Sequence, residues 1–439
     1  MRRLFLLCFL ASGASAQDFS AVDALIEDSL AQMGGGAALV VVHDGEVVYR
    51  AGYGSITPET RVDIASATKW LSGAALATLI SDGSLAVDDS LAMFFPSLEG
   101  EIRSVTIGQL FSHTSGFPGG SGLQAAGCIL NRLITLGTCA RRILDDGLAI
   151  PPGSGFDYGG TSMHVAGHIA ELVTGQTWGD LFDARLAAPL GMTVTWNDDR
   201  NPRVAGGATT SANDLATFLQ MLLAGGVHEG QQILSEEAIG ALLADQTGGA
   251  PILSSPYEPY AAQYAQLPPV ESIRYGLGVW REATASDGSL RLASSPGAFG
   301  TAPWIDLEAG IGAVLLVDDR LPDVIGTYLA LQPLVRDALG VTVISEAAPE
   351  PRSLSVRAPW PNPVRHRAAV RFSLATPEEV LIALYDATGR RVRVLASGSR
   401  EAGDHRVWVR ARGLAPGVYR VVVRAGDETA VRAFAVAGR

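Results

Sequence analysis

The 439-residue sequence contains a single lysine, Lys69, and all its other Lys/Arg positions are arginine. Arginine keeps its proton at every pH at which proteins remain folded, whereas a buried lysine amine can become neutral and accept a proton. The scarcity of lysine therefore excludes a second lysine as a proton acceptor. It also indicates that Lys69 has a role that arginine cannot fulfil.

Cysteine is scarce as well, with three residues in the chain. Cys8 lies in residues 1–16, where two arginines, a short apolar run and small residues before Gln17 predict a cleavable secretory signal peptide. The apolar run is too short to span a membrane. Cys128 and Cys139 then remain, and in an oxidising compartment they are candidates for one disulfide; two separate buried thiols are the alternative.

Several cofactor motifs are also missing. The sequence has no phosphate-binding loop, dinucleotide fingerprint or H-E-x-x-H zinc motif, and its two mature cysteines have no adjacent histidine pair. It also lacks the G-x-S-x-G nucleophile elbow of α/β-hydrolases. We therefore expect no cofactor and no metal.

Charge is unevenly distributed along the chain. Residues 17–351 contain 15 basic and 38 acidic residues, net −23, whereas residues 352–439 contain 16 arginines and 7 acids, net +9. This change predicts a larger unit at 17–345, a linker at 346–360 and a C-terminal unit at 361–439. The acidic unit argues against nucleic acid as a partner, and the alternating arginines of the C-terminal unit are typical of a solvated strand face.

The larger unit has strands near both ends and helices between them. The predicted strands are 37–42, 46–53, 275–282, 289–293, 299–305 and 311–317. The predicted helices are 66–80, 106–111, 162–174, 178–187, 211–223, 235–243 and 322–339. This order predicts an α+β fold, in which the terminal strands form one antiparallel sheet flanked by helices and a large helical insertion creates a cleft.

Ser66 stands three residues before Lys69, in the first turn of a predicted helix. Residues three apart share a helix face, so the hydroxyl and the amine should lie within reach of each other. A serine hydroxyl is a weak nucleophile until a base takes its proton, and a desolvated lysine can serve as that base. The positive end of the helix dipole also favours negative charge near Ser66.

This S-x-x-K element resembles that of the serine β-lactamase, penicillin-binding protein and family VIII esterase superfamily, and the resemblance runs from about residue 40 to 340. The H-T-S-G sequence at 113–116 resembles a structural turn of the family, and Tyr158 falls where its Y-x-N motif places a tyrosine. The resemblance implies Ser66, Lys69 and Tyr158 as catalytic residues. A phenol beside an ammonium is expected to have its ionised form favoured, so that Tyr158 shares the base role.

Two motifs depart from the family pattern. The second motif ends in Gly160 instead of asparagine, and the third motif has Ser295 where the family has a lysine or histidine before Gly297. The resemblance implies backbone N–H groups of Ser66 and Ala298 as the oxyanion hole, which needs no particular side chain. Gly160, Ser295, Gly297 and Trp304 are the predicted substrate-binding residues.

A neutral third motif leaves a substrate carboxylate without a partner. We therefore expect a serine hydrolase acting on a small ester or amide with an uncharged or apolar acyl group. The aromatic residues near the predicted cleft agree with an apolar substrate, although such rings also simply fill cores. Two alternatives remain: a non-turnover sensor or binding protein, and a β-lactamase or D,D-peptidase that recruits an arginine from elsewhere.

The C-terminal unit contains short alternating strands separated by turns, which predict a β-sandwich of roughly immunoglobulin type. Its P-N-P sequence at 361–363 and the segments 384–392 and 414–419 resemble the sorting domain of type IX secretion cargo. The resemblance implies the secretion machinery as a partner, and a secreted or outer-membrane surface location with no transmembrane segment in the mature chain. An ordinary accessory sandwich is the alternative.

Overall fold

Strands from both ends of the larger unit form one antiparallel sheet, as the sequence predicts. The computed structural model describes residues 17–119, 127–261, 263–264, 266–267, 270–284, 289–341, 354–360, 364–374, 376–387, 389–426 and 428–436. The predicted signal peptide, the first part of the predicted linker and the P-N-P sequence lie outside the described residues.

The larger unit contains fourteen described strands. They are β1 (Gly36–His43), β2 (Glu46–Gly54), β3 (Val62–Asp63), β4 (Phe156–Asp157), β5 (Thr195–Trp196), β6 (Ala208–Thr210), β7 (Val227–His228), β8 (Gln231–Gln232), β9 (Ile252–Ser254), β10 (Arg274–Tyr275), β11 (Trp280–Thr284), β12 (Leu290–Ser294), β13 (Gly300–Asp306) and β14 (Ile311–Asp318). The main sheet has the order β10-β11-β12-β13-β14-β1-β2.

Helices occupy most of the remaining described chain. The α-helices are Ser20–Ser29, Thr68–Ser81, Leu91–Phe94, Ile107–Phe111, Leu136–Asp146, Thr161–Thr174, Trp178–Phe182, Ala212–Leu223, Glu236–Leu243, Glu258–Ala261 and Leu321–Ala338. Short 3₁₀ turns occur at Ala65–Ala67, Gly100–Ser104 and Val270–Ser272, and a π-helical turn occurs at Asp183–Ala187. The helices at 20–29 and 136–146 were not among those expected from the sequence.

The central strands are buried on both faces. All seven residues of β13, and seven of the eight in β1 and in β14, are buried. Because successive strand residues point to opposite faces, complete burial means that helices cover both sides of the sheet. The helix Ala212–Leu223 packs on β1, β13 and β14, and the helix Leu321–Ala338 packs on β13 and β14.

The helix that carries Lys69 is surrounded by protein on all sides, since residues 68 to 79 are all buried. A Cβ on Gly73 would lie 1.9 Å from the Leu277 carbonyl oxygen, and one on Gly278 would lie 2.0 Å from that of Lys69. Gly278 also has a φ of +85°, which glycine adopts readily. This turn divides the single strand predicted at 275–282 into β10 and β11, and places its backbone against the helix.

The C-terminal unit has its own apolar core between two sheets. Its strands are β15 (Leu354–Trp360), β16 (Arg367–Leu374), β17 (Glu378–Asp386), β18 (Arg391–Arg400), β19 (Gly403–Arg410), β20 (Gly417–Ala425) and β21 (Glu428–Val436). The sheet orders are β15-β16-β19 and β18-β17-β20-β21, consistent with the predicted sandwich.

Strand β15 falls inside the range predicted as a linker. It pairs with β16 and buries Leu354 and Val356, so the described sheet begins at Leu354 and not at residue 361. Its proline, Pro359, is compatible with a strand because β15 lies at the edge of its sheet.

One buried ion pair ties the last helix of the larger unit to the sheet, and its loss should be costly. Asp306 of β13 pairs with Arg336, and their side chains are 5% and 9% exposed. Removing one partner leaves a buried uncompensated charge, so Asp306→Ala should lower the free energy of unfolding by about 3–5 kcal/mol in urea denaturation at pH 7. Glu308→Gln is the matched control, because Glu308 is 63% exposed and 3.8 Å from Arg336. Equal stability losses in both variants would contradict this reasoning.

Candidate active site

Ser66 and Lys69 meet at the start of the buried helix. Ser66 lies in the 3₁₀ turn Ala65–Ala67, and the α-helix follows from Thr68. The Lys69 Nζ donates to Ser66 Oγ at 3.1 Å and to the Ala205 carbonyl oxygen at 2.8 Å. Ala65 precedes the pair with a φ of +43°, a left-handed conformation that is uncommon for a residue with a Cβ. The spacing read from the sequence therefore does bring the two side chains together.

The Lys69 amine has no carboxylate among its described partners and is 3% exposed. Burial lowers the pKa of Lys69 from 10.5 to about 7, because desolvation penalises the ammonium form. The neutral amine is therefore accessible near neutral pH. A neutral amine beside a serine hydroxyl can accept its proton.

Tyr158 lies beside this pair, with the Lys69 Nζ 4.6 Å from the centroid of its ring. Burial raises the pKa of Tyr158, and a hydrogen bond with the Ser66 side chain offsets only part of that increase. The direction is opposite to the sequence-based expectation of a favoured phenolate. Desolvation dominates because the half-buried phenol is packed among aromatic rings, and the amine lies over the ring face. Tyr158 is therefore a neutral phenol near neutral pH.

Neighbouring backbone and side-chain groups hold the Tyr158 segment. Asp157 accepts from the Gly119 N–H at 2.8 Å and from the Ser254 hydroxyl. His113 Nδ1 accepts from the Gly159 N–H at 3.4 Å. Burial, and secondarily the Lys69 charge, holds the pKa of His113 well below its usual value. His113 is thus a neutral hydrogen-bonded core residue, in agreement with the structural role that the sequence predicts for it.

Aromatic rings form one wall beside Tyr158. Trp280 stacks on it with ring centroids 5.2 Å apart, and Tyr275 packs edge-on against Trp280 at 4.6 Å. Tyr257 also packs edge-on against Trp280, at 4.7 Å. All three rings are almost fully buried, at 2% exposed for Trp280, 0% for Tyr275 and 4% for Tyr257, so they form a buried cluster beside Tyr158.

The second motif ends at Gly160, which caps the helix Thr161–Thr174. A Cβ on Gly160 would lie 3.3 Å from the Ala205 Cβ, so Gly160 borders the segment whose carbonyl holds Lys69. No asparagine amide is supplied at this position. The backbone carbonyl of Ala205 provides the polar partner of the amine instead.

The third motif contacts the Ser66 segment chiefly through close packing against its backbone. Ser295 is 1% exposed, and its hydroxyl lies 3.2 Å from the Ser66 carbonyl oxygen and 3.4 Å from that of Gly278. Its side chain therefore contacts the backbone of Ser66, in contrast to the substrate contact predicted from the sequence. A Cβ on Gly297 would lie 2.1 Å from the Ile64 carbonyl oxygen. Only glycine permits this approach, which brings the exposed Ala298 next to the Ser66 segment.

Trp304 does not line the cleft. It is 1% exposed and packs edge-on against Tyr328 of the helix Leu321–Ala338, with ring centroids 5.5 Å apart. Its predicted substrate-binding role is therefore corrected to a core role. The sequence could not distinguish these positions, because every residue of β13 is buried and no alternation of exposed and buried residues marks a cleft-facing side.

Cys128 and Cys139 form a disulfide. The bonded segment is also held by Asn201, whose Nδ2 donates to the Cys128 carbonyl oxygen at 2.8 Å and to that of Asn131 at 3.0 Å. Within the described ranges, no group of three or more His, Cys, Asp or Glu side chains is arranged to hold a metal ion.

Two family profiles match the chain. The profile of the Beta-lactamase family matches residues 22–332, which is most of the sequence. The chain belongs to the Beta-lactamase family. A second profile, the secretion system C-terminal sorting domain, matches residues 358–437. Both resemblances noted in the sequence are thereby confirmed, as is the α+β fold.

Individual relatives agree with this assignment to the Beta-lactamase family. The chain is 31% identical to Protein flp of Staphylococcus aureus (strain N315) over 188 residues, 40% of this chain and 37% of flp. It is 32% identical to Esterase EstB of Burkholderia gladioli over 180 residues, 36% of this chain and 45% of EstB. The match thus spans less than half the length of either curated relative.

A solved structure assigned as a beta-lactamase, from Bacteroides dorei DSM 17855, superposes with a TM-score of 0.64 at 28% identity. The superposition covers 74% of this chain and 99% of that one. Beta-lactamase family members are serine hydrolases, and the sorting domain implies export from the cell. Among the described helices, none has the length and apolar character needed to cross a membrane.

Three site features could not be read from the sequence. Ala205 lies 136 positions from Lys69, and a backbone carbonyl leaves no signature in a residue type. Trp280 and Tyr275 are aromatic residues of adjacent strands, and nothing in their spacing shows that they face Tyr158. Only the glycine-rich turn around residues 276–278 could have indicated a close backbone approach.

Proposed function

We propose that this protein is an exported serine hydrolase that cleaves small esters or amides with uncharged acyl groups, through an acyl-enzyme on Ser66. The observation that carries the proposal is the buried Lys69 amine, hydrogen-bonded to Ser66 and with its pKa lowered to about 7. A site built from these groups needs no metal or cofactor for acyl transfer.

In the first step, Ser66 Oγ attacks the carbonyl carbon while Lys69 Nζ takes the hydroxyl proton. The new carbon–oxygen bond converts the carbonyl oxygen into an oxyanion, which the Ser66 and Ala298 N–H groups stabilise. Within the described ranges neither N–H donates to another backbone carbonyl, so both are available. The first turn of the helix adds its positive dipole end.

In the second step, the bond to the leaving group breaks, and the Tyr158 hydroxyl gives that group a proton. The Lys69 ammonium, which lies 4.6 Å from the centroid of the Tyr158 ring, then gives its proton to the Tyr158 phenolate, so that the amine is neutral and the phenol protonated again. Water then attacks the acyl carbon and loses a proton to Lys69. The bond between that carbon and Ser66 Oγ breaks, and Lys69 gives the proton to Ser66 Oγ as the acid leaves. Tyr158 suits the donor role because burial keeps it protonated.

The proposed preference for uncharged acyl groups follows from the third motif. Ser295 has no charge, and its hydroxyl is directed at backbone carbonyls. None of the described hydrogen bonds of Ser66 or Lys69 involves an arginine. A substrate carboxylate would therefore lose hydration without gaining a charge partner, whereas an uncharged acyl group carries no such cost.

The substrate class is tested by paired esters of equal size. The kcat/KM for p-nitrophenyl butyrate should exceed that for p-nitrophenyl hemisuccinate by at least about tenfold, since a desolvated carboxylate costs more than 1.4 kcal/mol. A chromogenic cephalosporin, which also carries a carboxylate, should be a poor substrate. Faster cephalosporin than butyrate turnover would identify a β-lactamase. An adduct seen by intact mass without turnover would identify an acylatable sensor.

The pH dependence of kcat/KM should follow the protonation state of the Lys69 amine. Below pH 7 the amine is increasingly protonated and unable to accept the Ser66 proton, so kcat/KM should fall about tenfold per pH unit. Above pH 8 it should level off, because the amine is neutral and Tyr158 is still protonated. The measurement is kcat/KM for the butyrate ester from pH 5 to 9. A profile that stays flat down to pH 5 would contradict a lysine base.

A further inference from the structure

One face of the C-terminal unit concentrates exposed arginines around a tryptophan. Strands β16 and β19 pair Arg367 with Arg410, Ala369 with Trp408, and Arg371 with Arg406. Because alternate strand residues share a face, all four arginines and Trp408 lie on the same side of this sheet. The four arginines are exposed and Trp408 is 39% exposed. We call these five residues the Arg/Trp face.

The arrangement is unfavourable for the isolated domain. Two arginine pairs stand directly opposite each other across neighbouring strands, where like charges are destabilising. Among the side chains that the structure describes, none of these four arginines forms an ion pair. The one acid at a corresponding register position is Asp404, opposite Ser373. Such a surplus of positive charge is explained by an anionic partner.

The contacts of Trp408 indicate which class of anionic partner is favoured. The Arg367 guanidinium lies 4.6 Å from the Trp408 ring centroid, and the Arg406 guanidinium lies 5.1 Å from it. Arg406 lies two residues before Trp408 on the same strand. Arg367 pairs with Arg410, which lies two residues after Trp408. The guanidiniums therefore approach the ring from its two sides along the strand. Both guanidiniums already pack against the indole, which favours a partner bound through charge over a base stacked on this ring.

The same contacts orient the guanidiniums for carboxylates. Stacking on Trp408 restricts the side chains, and a guanidinium binds carboxylates through two parallel N–H donors. The two arginine pairs are four residues apart along the strands, or roughly 13 Å. A partner therefore needs acidic groups at two places along a fairly flat surface.

We propose that the Arg/Trp face is the surface through which the sorting domain docks on an acidic protein surface of the export machinery. A protein partner is favoured because the unit matches a secretion system sorting domain, and because tryptophan and arginine are the residue types that dominate protein interfaces. A contact made by four arginines and one tryptophan should be salt-sensitive. The proposal rests on the sorting role of this unit and not on the hydrolase activity.

Export is tested in the natural host with the full-length chain. The face variant carries Arg367→Gln, Arg371→Gln, Arg406→Gln and Arg410→Gln. The matched control carries glutamine at four arginines of the other sheet, Arg391, Arg393, Arg400 and Arg424, and so loses the same charge. Immunoblotting against the larger unit should show at least tenfold less exported protein for the face variant, with the control within twofold of wild type. Equal export of both variants, or equal loss in both, would overturn the proposal.

A binding measurement on purified protein distinguishes a variant that cannot dock from one that fails to fold. The purified full-length chain has a net charge of −12, so any binding to an acidic probe must come from a local basic surface. At low salt, poly-L-glutamate should bind wild type and the control, and it should bind the face variant at least tenfold more weakly. Its binding to wild type and to the control should weaken as the salt concentration increases. If heparin or oligo-dT bound through this face and poly-L-glutamate did not, the proposal of a protein partner would be wrong. Self-association lost only in the face variant would assign the face to a second copy of the chain.

Discussion

Ser66→Ala is expected to lower kcat/KM for p-nitrophenyl butyrate by about 10⁴-fold or more, the usual consequence of removing a serine nucleophile from a site that acts as a unit. The substitution deletes one oxygen and leaves the Lys69 contact with the Ala205 carbonyl in place. It also keeps the backbone N–H groups proposed for the oxyanion. The loss would thus report covalent catalysis itself and not a disrupted helix.

The measurement is steady-state ester hydrolysis together with intact mass after brief exposure to substrate. Wild type should show an acyl adduct, and Ser66→Ala should show none. Ser84→Ala is a suitable control, because Ser84 is exposed just after the same helix and should retain full activity. Turnover within tenfold of wild type in Ser66→Ala would rule out the proposed mechanism.

Lys69→Met is expected to lower kcat/KM by about 10³-fold or more while making the protein more stable at pH 7. Methionine has a similar length and no charge, so it removes the base and the desolvation cost together. A lysine pKa near 7, against 10.5 when exposed, corresponds to a burial cost on the order of 4 kcal/mol at pH 7. Loss of the Ala205 hydrogen bond costs about 1–3 kcal/mol, so a net gain of roughly 2 kcal/mol remains.

The pH dependence of this stability difference has a definite sign. Between pH 7 and 10.5 the unfolded wild-type chain binds more protons at Lys69 than the folded chain does, so wild-type stability increases with pH. The advantage of Lys69→Met should therefore be largest at or below pH 7 and shrink toward pH 10. Urea denaturation at pH 7, 8.5 and 10 measures it.

Lys69→Arg is the informative companion variant. It keeps the positive charge, cannot become neutral, and places a larger group in a closed space, so it should be both inactive and less stable than wild type. Retained activity in Lys69→Arg would show that Lys69 acts by its charge and not by accepting a proton. A Lys69→Met protein less stable than wild type would contradict the desolvation argument.

Lys69 also shows how much of the site could be predicted from the local sequence pattern. Ser66 and Lys69 are three positions apart, and helix geometry alone brings them together, so the sequence was sufficient to predict the pair. Most helices and most strands were predictable for the same reason, because apolar periodicity and turn residues act over a few positions, although the helices at 20–29 and 136–146 were missed. Predictions failed where a short turn interrupts an apolar run, as at residues 276–278, and where an edge strand contains a proline, as in β15.

The sequence by itself determined the two-unit organisation, the α+β class and the proximity of the one lysine to its serine. Only the tertiary structure decided the protonation states, because desolvation of Lys69 and Tyr158 depends on rings and carbonyls contributed by distant segments. It likewise decided that Ser295 faces the backbone, that Trp304 lies in the core and that Trp280 contacts Tyr158. These are properties of packing between segments, and no residue type or spacing within one segment specifies them.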